Sequence, residues 1–334
     1  MKVLVTGATG YIAGFCIEDL LRQGHSVRGT MRNPDATDRV AHLWAVADEL
    51  GAELEFVRGE LSEAECWPAA VVGCDWVMHT ASPLPVADPK HEMELIGPAV
   101  DGTRHVLAAA ADAGVKRVVL TSSSAAIINV DRPEGHVYTG DDFSDPEQCS
   151  AYPKSKTLAE RAAWELHKAL PDDKRFELVV VNPVLVIGPV QHARANTSLE
   201  PVLRLMRRQL PAVPHLGFTL VDVRDVAVAH RLALEVPEAA GKRYLLCSQF
   251  MWMRDLSVEL AADGHSVPTG HLPYAALWLA SWFDSAIAYI LPQVGQRLSL
   301  SSAKAQRELG WTVTDVKQTV RDCGRSIAKF GLAG

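Results

Sequence analysis

Short apolar runs recur along the first half of the chain, and between them lie longer stretches whose apolar residues return every three or four positions. The short runs predict strands at residues 3–6, 26–31, 54–58, 76–80, 117–121 and 178–182. The longer stretches predict helices at 12–23, 39–50, 99–113 and 155–170, with Gly24 and Gly114 placed to end two of them. Strands this continuously apolar are buried on both faces, which is the signature of a parallel sheet with helices on either side. Right-handed crossovers then give an α/β, doubly wound Rossmann domain.

The alternation weakens after Gly188. A helix is expected at 199–209, a short strand followed by a helix across 221–236, and a short strand at 244–247. From about residue 248 the pattern is mostly helical. The expected division is a dinucleotide-binding Rossmann domain at 1–188, with 217–247 returning to it, and a smaller, mostly helical substrate lobe made of 189–216 and 248–334. Such a lobe is expected over the C-terminal edge of the sheet, where open α/β sheets bind ligands.

Bulk properties narrow the function. The 334 residues are 48% hydrophobic and 22% charged, enough for a substantial core. The net charge is −7 and no run of Lys and Arg forms a nucleic-acid footprint, so no nucleic-acid partner is expected. The six cysteines are scattered without a Cys-x-x-Cys, so neither a metal site nor a disulfide framework is expected. The opening residues lack signal-peptide architecture, and the cytoplasm is the expected compartment. Residues 274–291 approach membrane-span length, but Asp284 and several small residues favour a buried or interface helix, and no membrane partner is expected.

Two segments carry chemistry. Gly7-Ala8-Thr9-Gly10 follows the first strand and opens the first helix. Gly7 permits a tight turn, Gly10 lets the backbone approach a pyrophosphate, and the helix N-terminus favours the anion. The second strand ends at Arg32, with no acid before Asp35 to hold a ribose 2′-hydroxyl. Arg32, with Arg39 from the next helix, suits a 2′-phosphate, so NADP(H) is the expected cofactor. Further on, Tyr152 and Lys156 stand at i and i+4 and share one helix face. The nearby ammonium is expected to lower the Tyr pKa, preparing the phenol to give a proton to a carbonyl oxygen as hydride reaches the carbon. The fifth strand ends in Thr121-Ser122-Ser123-Ser124, and one of these hydroxyls is placed to hydrogen-bond the substrate oxygen.

With these residues in view, the chain resembles an extended short-chain dehydrogenase/reductase, in the group of dihydroflavonol reductases, cinnamoyl-CoA reductases and the yeast methylglyoxal (ketone) reductase. The matching segments also include His79-Thr80-Ala81-Ser82-Pro83, Asn182-Pro183 and the stretch from Val221 to Ala227. The resemblance implies Ser123 as the catalytic serine, with Ser124 its near competitor, Tyr152 as general acid/base and Lys156 as its activator. It implies cofactor contacts at Gly7, Gly10, Tyr11, Ile12, Arg32 and Arg39, at Glu60 and Leu61 beside the adenine, at Thr80, Ala81 and Ser82 in the middle, and at Pro183 and Val184 near the nicotinamide; Lys156 also contacts the ribose. Pro83 and the stretch containing Ile127 and Ile128 would border the substrate. With Val190 they suggest a hydrophobic or aromatic carbonyl compound.

The chain departs from the group at two places. Ile128 stands where flavonoid-reducing members carry an Asn, and Gln148-Cys149-Ser150-Ala151 replaces the Asn-Trp-Tyr-Cys segment of cinnamoyl-CoA reductases. The expected activity is therefore a reversible NADPH-dependent carbonyl reduction without a named substrate. A hydroxysteroid dehydrogenase, an NAD-dependent sugar-nucleotide epimerase or dehydratase, and an NADP-sensing or scaffold protein remain as alternatives, as do a monomer and a homodimer.

Overall fold

The structure, a computed structural model, describes residues 1–83, 91–194, 196–282 and 291–333. Two compact units emerge from the chain. The first contains Met1–Val184, Arg224–Leu246 and Ser301–Thr312. The second contains Leu185–Val223, Cys247–Leu300 and Val313–Gly334.

The first unit begins with β1 (Lys2–Val5), α1 (Tyr11–Arg22), β2 (Ser26–Met31), α2 (Ala41–Leu50), β3 (Leu54–Arg58), α3 (Trp67–Val71) and β4 (Trp76–His79). It continues with α4 (Met93–Asp112), β5 (Arg117–Thr121), β6 (Val137–Tyr138), α5 (Ala151–Ala169) and β7 (Glu177–Pro183). The second unit takes β8 (Leu185–Ile187), α6 (Glu200–Met206) and β9 (Gly217–Asp222). The chain returns to the first through α7 (Val223–Glu235) and β10 (Arg243–Leu246). It then gives β11 (Phe250–Trp252), α8 (Met253–Ala262) and α9 (Tyr274–Ala280) to the second, α10 (Ala303–Leu309) to the first and α11 (Val316–Lys329) to the second.

The main sheet has seven strands in the order β10-β7-β5-β4-β1-β2-β3, every neighbouring pair parallel. This is the doubly wound Rossmann arrangement that the alternation predicts. β5 is buried at every position, as a strand covered on both faces must be. One core layer joins Leu4, Val77, Val118 and Val180 of the sheet to Val106, Leu107 and Ala110 of α4, together with Trp67 and Phe176. Burying each of the Val, Leu and Phe side chains contributes about 1.5–3 kcal/mol. Because all strands run one way, the ends of β1, β2, β4, β5 and β7 share one edge.

The second unit has its own three-stranded sheet, β11-β9-β8, with β8 parallel and β11 antiparallel to β9. α7 follows β9 at once, matching the strand-then-helix reading of 221–236. Two helices begin earlier than their patterns suggest. α4 starts at Met93 and runs through Pro98, which the apolar spacing treats as a boundary. α5 starts at Ala151, so Tyr152 stands in its first turn. In the apolar segment 274–291, α9 covers Tyr274–Ala280, and residues 283–290 lie outside the described residues. Among the described residues no helix is long and apolar enough to cross a membrane.

Candidate active site

The glycine turn stands where β1 gives way to α1. Gly7 has φ +70°, and a Cβ there would come within 3.1 Å of Ala81, so a side chain would both strain the backbone and close the turn. The Gly10 N–H donates to the Gly7 carbonyl at 2.8 Å and fixes the loop. No side chain caps the N-terminus of α1 and its first turn holds no acidic residue, which suits an anion. Thr6 pins the opposite wall: its hydroxyl accepts from Ala81 N–H at 3.0 Å and lies 2.8 Å from His79 Nδ1.

A cleft of about 740 Å³ opens along this edge. Gly7, Gly10, Arg32, Glu60, Leu61, Thr80, Ala81, Ser82 and Pro83 line it, so residues from four strand ends meet around one space. Arg39 is exposed at the end of a short turn, Thr37–Arg39, and does not line the cleft; Tyr11 and Ile12 open α1 directly behind Gly10. Thr30, Met31, Gly59, Trp67, Glu94, Leu95 and Pro98 also form its wall, although the sequence reading did not single them out. Thr30 and Met31 directly precede Arg32 and were within reach of a local argument. Glu94, Leu95 and Pro98 arrive from α4 with no local signal. The cradle and the arginine fit a phosphorylated dinucleotide.

The proton-handling residues lie where β5 ends and α5 begins. Ser123 is extended, with φ −159° and ψ 155°, and its hydroxyl accepts from Ala125 N–H at 3.1 Å. The Ser123 side chain acts on the Tyr152 phenol and favours its ionised form, while Ser124 begins the turn Ser124–Ala126. Burial pushes the Tyr152 pKa up and Ser123 pulls it down, with a net upward shift. This differs from the expected lowering by Lys156: desolvation of the phenolate is the larger effect, and it keeps the phenol protonated as an acid must be. Lys156, one turn on, is buried, and burial lowers its pKa to about 8 against the pull of Glu160 in the other direction.

Pro183 ends β7, and Val184 donates its N–H to the Leu246 carbonyl at 3.1 Å; both residues are buried. Ile127 is fully buried and Ile128 half-buried beside the Ser123 turn. Val190 belongs to the second unit, where its N–H donates to Ser326 Oγ at 3.0 Å.

Glu160 of α5 is 0% exposed, although its neighbours in sequence include the charged residues Arg161, Glu165 and Lys168. Its carboxylate accepts from Ser122 Oγ at 2.6 Å and Asn182 Nδ2 at 2.9 Å, and it pairs with Arg243.

The profile of the NAD dependent epimerase/dehydratase family matches residues 3–247. The chain belongs to this family. Cinnamoyl-CoA reductase 1 of Arabidopsis thaliana is 43% identical over 250 residues, covering 73% of this chain and 69% of the relative. Tetraketide alpha-pyrone reductase 2 of Arabidopsis thaliana is 37% identical, covering 74% and 77%. Among solved structures, the yeast methylglyoxal/isovaleraldehyde reductase complexed with NADPH superposes with a TM-score of 0.80 at 28% identity, over 100% of both chains. The resemblance drawn from the motifs therefore holds. One fold hosts many chemistries, so family membership leaves the reaction to be argued from the site.

Proposed function

We propose that the chain is an NADP(H)-dependent reductase of hydrophobic or aromatic carbonyl compounds, with Ser123, Tyr152 and Lys156 as its catalytic set. One observation carries the reading: Tyr152 stands in the first turn of α5, one turn before a buried Lys156 and under the influence of Ser123, in the same unit as a cleft lined by Arg32. The Gly7–Gly10 turn would hold the pyrophosphate, Arg32 the 2′-phosphate and Lys156 the ribose. NADPH, when bound, supplies a hydride to the substrate carbon.

The chain's own residues handle the oxygen. Ser123 donates to the carbonyl oxygen and orients it, and Tyr152 gives its phenolic proton to that oxygen as negative charge develops there. The Lys156 ammonium stabilises the phenolate that remains. The names of the relatives span a thioester, a pyrone and small aldehydes, all carbonyl compounds, in agreement with this assignment. Ile128 in place of a polar residue favours an apolar substrate. Arg32 at the end of β2, where an acid would select NAD(H), disfavours an NAD-dependent epimerase.

The test is loss of NADPH absorbance with a panel of aromatic and aliphatic aldehydes and ketones, beside NADH and a Tyr152→Phe variant. Turnover should prefer NADPH and fall by roughly 10²–10⁴-fold in the variant. Turnover that survives the substitution would remove Tyr152 from the mechanism.

A further inference from the structure

We propose that Glu160 is a positioning residue of this site: its buried carboxylate, held by Arg243, Ser122 and Asn182, keeps Lys156 in its charged form and anchors the backbone that carries Ser123. The inference rests on the carbonyl-reductase reading above.

Tyr152, Lys156 and Glu160 stand at i, i+4 and i+8 of α5 and so run along one face. A carboxylate with no exposure is costly unless it is both paired and hydrogen-bonded. Glu160 meets that condition through four elements. Arg243 of β10 pairs with it; Ser122 at the end of β5 donates at 2.6 Å, Asn182 of β7 at 2.9 Å, and Trp164 of α5 at 3.4 Å. A well-packed apolar pair would stabilise this position as well as a buried ion pair does. The outlay on polar partners therefore points to a task beyond stability.

Two connections define that task. The Asn182 amide also donates to the Ser123 carbonyl at 3.2 Å, so carboxylate, amide and serine backbone form one chain. Lys156 is buried, and among the described residues Glu160 is the one group shown to favour its charge. His79 on β4 is held neutral, its pKa pushed down to about 3 by burial and by the Lys156 charge. Tyr152 is a neutral phenol whose pKa burial raises. Glu160 is the group that favours the ammonium. Arg243 pairs with Glu160, donates to the Gly140 carbonyl at 2.8 Å and lies 4.0 Å from the Phe143 ring, so it also braces the loop leading into α5.

The experiment compares wild type with Glu160→Gln, Glu160→Asp and the double variant Glu160→Gln/Arg243→Met, which removes the ion pair as a unit so that Arg243 is not left unpaired. Two profiles are taken from about pH 5.5 to 9.5: kcat/KM for a carbonyl turned over by the wild type, and the ¹³Cε resonance of Lys156 in lysine-labelled protein, assigned with Lys156→Arg. In both Gln variants the alkaline limb and the lysine titration should move together to lower pH, with a loss of roughly fivefold in kcat/KM at about pH 8 and a smaller one at about pH 6.5. Glu160→Asp should restore part of the limb. A uniform loss at every pH, with the lysine titration unmoved in folded Gln variants, would overturn the proposal and leave Glu160 a structural residue. Absence of turnover by the wild type on any carbonyl would defeat the reductase reading, and the lysine titration would still decide what Glu160 does to Lys156.

Discussion

At the scale of single residues, the site joins groups whose ordinary behaviour is reversed by burial. Lys156 would stay charged far above neutrality in water, yet its pKa lies at about 8 here, so its ammonium is lost within reach of ordinary assay conditions. Arg32 is the opposite case, an exposed cation at a cleft wall. Its expected contribution is a charge-assisted pair with a 2′-phosphate, which NADH lacks. Arg32→Glu should weaken NADPH binding by roughly 10–100-fold and leave NADH binding nearly unchanged, read as dissociation constants by fluorescence titration. Equal losses for both cofactors would show that Arg32 does not read the phosphate. Gly7, Arg32, Tyr152 and Lys156 were legible because each depends on a local rule: a positive φ, the end of a strand, a one-turn spacing. Glu160 was not, because its partner Arg243 is 83 positions away and only strand order brings β10 beside β7.

At the scale of elements, α4 and the sheet it covers hold the site edge in place. Leu107 on α4 and Val118 on β5 are both 0% exposed within the same layer. Leu107→Ala should cost about 2–5 kcal/mol, through lost burial plus the cavity left behind, and should lower the unfolding midpoint in urea without changing the slope. A loss below about 1 kcal/mol would mean that the layer can collapse into the gap. The strands of this layer were legible as continuous apolar runs. The start of α4 was not, because a proline inside a helix reads locally as a boundary, whereas Pro98 and Glu94 in fact border the cleft. The strand β11 was also missed; three residues carry too little pattern, and its identity comes from pairing with β9.

At the scale of the whole molecule, two fully buried histidines set a pH limit. His230 accepts at Nε2 from the Thr121 hydroxyl at 2.7 Å and donates from Nδ1 to the Val226 carbonyl at 2.7 Å. Burial lowers its pKa to about 4, and that of His79 to about 3. Above the unfolded value of about 6.5 both states are neutral and neither histidine affects stability. Below it the unfolded chain binds protons that the folded chain refuses, so stability falls as pH drops from about 6.5 toward 4, by on the order of 3 kcal/mol for His230 alone. Thermal unfolding should show a falling Tm across that window, and His230→Gln should flatten part of the fall. A Tm that holds steady down to about pH 4.5 would mean that these rings can be protonated in place. The sequence by itself determined the alternation of strands and helices, the glycine turn and the Tyr152–Lys156 spacing, because each is a relation among neighbours along the chain. Only the tertiary structure decided that α4 supplies a wall of the cleft and that Glu160 is buried, because burial and pairing arise from a strand order that joins residues far apart in sequence.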